Sequence, residues 1–211
     1  MTTSNVTTSE PKSIWFYVIA LANILHGVRR EGLGTTPIHD SRRSIRELLR
    51  QSHEFLLEKT SERNAYFVLF ALVALTDESM EEYVQKNPSD SWLPLQTELF
   101  EITNAGTLFY QYVDYFRGRN DIPVIIYEIF YFCLKDGFKG SKINEPDLRT
   151  AYLKELKVHI PVENIPSLSD RPVSIDTAKR RVPVLAYYLA AFLIVSFFRF
   201  LLELIPLDVN I

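Results

Sequence analysis

Apolar positions recur along the first 158 residues at helical spacing, separated by short polar or glycine- and proline-containing breaks. After the polar opening MTTSNVTTSEPK, the pattern predicts a first helix from about Ser13 to Arg30, ended by the glycines of EGLGTTP. Its apolar part, Ile14 to Leu25, is too short to span a bilayer and reads as a buried helix. The small-residue run Ala20-Leu21-Ala22 leaves a cleaved signal peptide as the alternative. Asp40 or Ser41 can cap a second helix, with Ile45, Leu48, Leu49, Phe55 and Leu56 on one side and Arg42, Arg46, Arg50 and Glu54 on a solvated one. Asn64 to Leu75 is apolar all round and reads as a central buried helix ending at Thr76-Asp77-Glu78. Asn87-Pro88 breaks the chain before one long amphipathic helix, about Pro94 to Arg117. Asp121 can cap the next helix, with Pro123 in its first turn and Asp136-Gly137 at its end, and Asn144 caps a last one, PDLRTAYLKELK.

The pattern then changes. His159 to Asp176 holds Pro161, Pro166 and Pro172 without periodicity, and the whole of 159–181 reads as a linker. Val182 to Phe198 is seventeen residues without a charge, and the apolar run continues through Arg199 and Glu203 to Ile205. As a helix the stretch 182–205 reaches roughly 36 Å, against about 30 Å of hydrocarbon. It is a membrane-span candidate, with a buried core helix as the alternative. Lys179, Arg180 and Arg181 precede it and no basic residue follows, which places the helical part on the cytoplasmic side and the tail 206–211 across the membrane. Ala186, Ala190 and Ala191 would give the span a small-residue face suited to a homodimer.

Composition narrows the function. The 211 residues carry 23 basic and 26 acidic side chains, a net charge of −3, so no global positive field draws nucleic acid. The single cysteine, Cys133, lies in an apolar run and is expected to be buried, and it rules out a disulfide framework or a multi-cysteine metal site. His26, His39, His53 and His159 form no ligand pair, and GFKGSK at 137–142 has two residues between its glycines where a phosphate loop needs four. No catalytic motif, cofactor site or small-molecule substrate site is indicated. The acidic run Asp77, Glu78, Glu81 and Glu82 stands out. At a helix C-terminus it would oppose the dipole, so it is either the start and cap of a following helix or a docking point for a basic partner. A tail-anchored enzyme using Asp77, Glu78 or Glu101 as acid or base is a rival reading; it would need a closed pocket with a basic partner.

FALVALTDE (70–78), LFYQYVD (108–114), YEIFYFCLKDGFKG (127–140) and the C-terminal span together resemble the DotU/TssL family of bacterial secretion systems. The resemblance implies an all-α cytoplasmic domain of two packed three-helix bundles, hook-like with a cleft between them, followed by one transmembrane helix. It implies a non-enzymatic inner-membrane component of a type VI secretion system, or of the related type IVB apparatus. The expected partners are an IcmF/TssM-like membrane protein and a TssK-like baseplate component. The family's acidic pair maps onto Asp77 and Glu78, which favours docking, and its GF-x-G turn maps onto Gly137, Phe138 and Gly140 as a structural chain reversal. A serine-lysine pair replaces the tyrosine common after that turn, and no peptidoglycan-binding extension is expected, which leaves wall attachment to another protein and makes a divergent subtype plausible.

Overall fold

A computed structural model describes residues 13–34 and 36–161. These hold seven α-helices and one 3₁₀ turn, and no strand: α1 (Trp15–Glu31), α2 (Ile38–Lys59), α3 (Glu62–Lys86), α4 (Leu95–Phe100), α5 (Ala105–Phe116), α6 (Val124–Lys135), the 3₁₀ turn (Gly140–Lys142) and α7 (Pro146–Val158). All of them belong to the first of the two units into which the chain divides, Met1–Pro166. Among the described residues no helix is long and apolar enough to cross a membrane. The candidate span 182–205, its flank Lys179 to Arg181, the tail and most of the proposed linker lie outside the described residues.

The fold is organised by α3, which packs against α1, α2, α4, α5 and α6. Ser61 caps it, its hydroxyl accepting from the Asn64 N–H at 3.4 Å, and from Asn64 to Asp77 only Tyr66 is not buried. The predicted end at Thr76-Asp77-Glu78 is wrong: α3 continues eight residues past Glu78, to Lys86. It can do so because its buried hydroxyls are satisfied inside the helix, Thr76 donating to the Leu72 carbonyl and Ser79 to that of Leu75, each at 2.7 Å. Asp77 and Glu78 therefore sit in mid-helix, and the dipole argument that placed them at a C-terminus does not apply.

Other boundaries shift for local reasons. α1 is a buried helix, with Val18, Leu21 and Leu25 in the core. α2 begins at Ile38 rather than at an Asp40 or Ser41 cap, because the Pro37 carbonyl takes the N–H groups of both those residues. The long helix expected over 94–117 is two. Glu101 takes a left-handed conformation (φ 57°) after α4, and the Gln96 side chain then accepts the first N–H of α5, from Ala105, at 2.9 Å. Asp121 faces Arg63 instead of capping α6, whose N-cap position is Pro123; Glu145, not Asn144, precedes α7.

Aromatic rings fill the seams. Phe70 meets Tyr112 at 4.8 Å between ring centres, Phe67 meets Phe116 at 5.0 Å, and Phe109 lies between Phe130 (4.5 Å) and Phe138 (4.4 Å). Cys133 is fully buried and its thiol points to the Ala71 carbonyl, with burial pushing the thiol's titration up.

The chain after α6 closes by a Schellman arrangement: Phe138 N–H to the Cys133 carbonyl (3.0 Å) and Gly137 N–H to that of Leu134 (3.4 Å), with Gly137 at φ 108°. Gly140 (φ 51°) then meets Gly106 backbone to backbone; a Cβ there would stand 2.7 Å from the Gly106 carbonyl oxygen and 2.9 Å from the Phe138 ring. Gly140→Ala should therefore cost about 1–3 kcal/mol. Gly27→Ala, in an open position within α1, should instead gain about 0.5–1 kcal/mol. Thermal unfolding followed by circular dichroism reads both, and equal effects would contradict the close packing assigned to Gly140.

Candidate functional site

Adjacent residues on a helix point about 100° apart, so Asp77 and Glu78 leave α3 in different directions. Asp77, 2% exposed, reaches the connector before α5. One of its carboxylate oxygens accepts from Trp92 Nε1 and from the Leu95 N–H, both at 2.8 Å, and the other from the Gln96 N–H at 2.7 Å. Leu95 and Gln96 open α4, so a side chain from α3 caps that short helix, whose own Pro94 offers no side-chain cap. Glu78 reaches the opposite connector, accepting the N–H groups of Lys139 (2.8 Å) and Gly140 (2.6 Å). Glu82, one turn on, pairs with Lys139 Nζ at 2.6 Å. Glu81 reaches solvent and makes neither a hydrogen bond nor an ion pair among the described residues.

The electrostatics follow from crowding. Burial pushes the Asp77 and Glu78 carboxyls above their ordinary range, and the donated backbone hydrogen bonds hold the rise in check. Desolvation also raises Glu81, and the neighbouring Asp77 and Glu78 charges add to it.

Two further polar groups surround this centre. Arg42 and Arg46 of α2 converge on Glu98 of α4, each at 2.5 Å, and Arg42 also donates to the Leu93 carbonyl and lies 5.6 Å from the centre of the Trp92 ring. Arg42 and Arg46 thus lace α4 to α2 rather than lining a merely solvated face. At the end of α6, buried Asp136 meets His26 Nε2 at 2.5 Å and Arg29 at 3.0 Å, and Arg29 extends to Ser79 at 2.8 Å. Sequence reasoning missed Asp136, His26 and Glu98, since each acts across more than fifty positions with no local motif. The pairing of the GF-x-G turn with Glu78 had a signal in the shared motif, but not its direction.

Gly137, Phe138 and Gly140 form the turn that Glu78 holds. A cavity of about 260 Å³ lies between the C-terminal parts of α1 and α3, bounded by Arg29, Glu31, Ser79, Glu82, Tyr83 and Lys86 among others, and Asp77, Glu78 and Glu101 do not line it. Among the described residues no three His, Cys, Asp or Glu side chains are grouped to hold a metal.

The described residues thus form an all-helical scaffold in which two carboxylates of the central helix hold its connectors. The profile of "Type VI secretion system protein DotU" matches residues 17–204, and the chain belongs to that family. DotU from Francisella novicida is similar in structure, with a TM-score of 0.61 and 26% identity over 69% of this chain and 98% of that one. SciP/TssL of the type VI system of enteroaggregative Escherichia coli 042 shares the fold, with a TM-score of 0.59 and 21% identity over 77% of this chain and 95% of that one. No curated relative matches the sequence.

Asp77→Asn keeps the oxygen that serves Trp92 and Leu95 but sets an amide N–H against that of Gln96, and should cost about 1–3 kcal/mol; Asp77→Ala strands all three donors and should cost more. Denaturant unfolding ranks the two, and equal costs would contradict the cap. The three raised carboxyls make the native chain bind more protons than the unfolded one just above the ordinary carboxyl range, so stability should rise as pH falls from 7 toward that range. Glu81→Gln should remove part of that rise. Glu47, held near 2 first by its hydrogen bond from Arg50 and then by Gln51, works in the opposite sense only at lower pH. A midpoint falling steadily from pH 7 to 5 would contradict the assignment.

Proposed function

We propose that the protein is a non-enzymatic, tail-anchored inner-membrane subunit of a type VI secretion membrane complex. The observation that carries this reading is membership of the DotU family over residues 17–204, a match that extends into the candidate span 182–205. In this reading the helical domain stands on the cytoplasmic side, oriented by Lys179, Arg180 and Arg181, and the short tail lies in the periplasm. The domain's helices form two three-helix bundles in a hook-like outline. The chain associates with an IcmF/TssM-like protein in the membrane, with a homodimer formed through the small-residue face of the span, and docks baseplate or sheath components of the TssK kind through the region of Asp77, Glu78, Glu81 and Glu82.

Support for docking at this region is chemical. Four carboxylates fall within six residues of the helix that organises the domain, and three of them, Asp77, Glu78 and Glu82, hold two connectors at its surface. Removing Asp77 or Glu78 strands the connector donors that each one satisfies, at about 1–3 kcal/mol per unpaired group, and so loosens the surface that a partner would meet. The test is co-purification of the full chain from native membranes with its secretion partners. Wild type should recover an IcmF/TssM-like protein and a baseplate component and should resist carbonate extraction; Asp77→Ala with Glu78→Ala should lose the baseplate component while keeping the membrane fraction. Release of wild type by carbonate, or recovery of no secretion component, would overturn the reading.

A further inference from the structure

From Asn64 to Asp77 the central helix is buried except at Tyr66, and there it meets a surface of rings. Tyr66 stands 5.3 Å from Phe100 of α4 between ring centres and shares a 3.0 Å hydroxyl–hydroxyl hydrogen bond with Tyr112 of α5. The buried Phe67 ring touches Tyr112 at 5.1 Å and Tyr115 at 6.2 Å. Arg119 lies over the Tyr115 ring, 4.1 Å from its centre. These contacts tie Tyr66, Phe100, Tyr112, Tyr115 and Arg119 into one face; the first three are half-buried and Tyr115 is 40% exposed. Within the Tyr66–Tyr112 pair one hydroxyl donates to the other, so one hydroxyl proton is left for an outside acceptor. At the edge of the face Arg63 and Arg119 pair with a single carboxylate, Asp121, at 3.2 and 3.6 Å, which leaves an excess positive charge among the described residues. Rings with a spare donor suit an extended proline-containing segment, whose pyrrolidine rings pack on aromatic faces and whose carbonyls lack partners of their own.

The end of the described chain leads to such a segment. His159, after α7, stacks on Tyr127 at 4.4 Å, the Tyr127 hydroxyl donates toward the carbonyls of Phe116 (3.1 Å) and Arg119 (3.3 Å), and Ile160 is buried. The chain therefore leaves Pro161 beside the connector that carries Arg119 and Asp121. The next five residues, 162–166, read VENIP, with one charged side chain, Glu163, opposite in sign to the excess at Arg63 and Arg119. They belong to the same unit as the helices, Met1–Pro166. At about 3.3 Å per residue they can reach about 16 Å, enough to run from the connector over Tyr115 to Tyr112, which stands one helical turn away. We propose that the tyrosine face is covered by the chain's own residues 162–166. Glu163 pairs with Arg119 and Arg63, Pro166 packs on the rings of Tyr115 and Tyr112, and the spare hydroxyl proton goes to a carbonyl of the segment. This strap joins the end of α7 to α5 and to the start of α3, and the chain departs from the helical unit at Pro166 instead of at the end of α7. The contact is internal to the chain and goes beyond the membrane and docking roles proposed above.

The test uses the full chain in native membranes, with a benzophenone-bearing residue in place of Tyr115, or of the exposed Leu57 on α2 as a control. Crosslinked peptides are mapped by mass spectrometry, and two differently tagged copies expressed together separate contacts within a chain from contacts between copies. The expected result is a crosslink from position 115, not from 57, to residues 162–166 of the same chain. Glu163→Arg should lower its yield severalfold, the scale of reversing an exposed charge pair. Adding Arg119→Glu to Glu163→Arg should restore the yield, with helix content by circular dichroism unchanged. Glu163 lies outside the helices, so its reversal alone decides the matter if the double variant loses helix content. A crosslink to a second copy, to residues 1–12 or to another protein, no crosslink at all, or a yield indifferent to Glu163→Arg would overturn the proposal.

Discussion

Everything that makes this domain more than a helical bundle depends on two neighbouring carboxylates on one buried helix. Asp77 and Glu78 accept from five donors between them, Trp92 Nε1 and four backbone N–H groups, and so replace the caps that α4 and the turn after α6 lack locally. Burying carboxylates is costly, and the upward pressure on their titration is the sign of that cost. It is offset because each oxygen faces N–H dipoles fixed by the fold, and because unpaired N–H groups at a short helix start would carry their own penalty.

The consequence is mechanical. Short connectors ordinarily move more than the helices they join, and a six-residue helix has no stability of its own. Here one connector is fixed to α3 by Asp77 and to α2 through Glu98, and the other to α3 by Glu78 and Glu82, so two segments distant in sequence keep a fixed relation. The Gly106 and Gly140 backbone contact allows that closeness, since neither residue has a side chain to separate them. In the role proposed for this chain such fixation is an advantage, because little ordering would be left to be done on binding a partner.

Much of this was legible in the sequence, and the limits are instructive. Helical periodicity located six of the seven helices because each buries one stripe or, for α3, almost its whole circumference. The resemblance of FALVALTDE and the GF-x-G segment pointed to the right family. Periodicity failed where polar residues lie inside a buried helix: Thr76, Asp77 and Ser79 read as a terminus because their partners, carbonyls one turn back and N–H groups eighteen or nineteen residues ahead, are invisible to a local pattern. It failed again at Glu101 to Asn104, where the apolar spacing runs on but the backbone turns left-handed and Gln96 starts a new helix. Charge–charge partners such as Asp136 with His26 and Arg29 have no sequence signature, since only the packing of α1 against the end of α6 brings them together.

The central claim is that the acidic pair binds inward, and nuclear magnetic resonance tests it most directly. The backbone amide protons of Leu95, Gln96, Lys139 and Gly140 should lie downfield, as expected for donation to carboxylates, and should shift together on acidification with midpoints above the ordinary carboxyl range, while the indole proton of Trp92 follows Leu95 and Gln96. Amides that do not titrate, or that follow an ordinary exposed carboxyl, would mean that Asp77 and Glu78 face outward and that the brace does not exist.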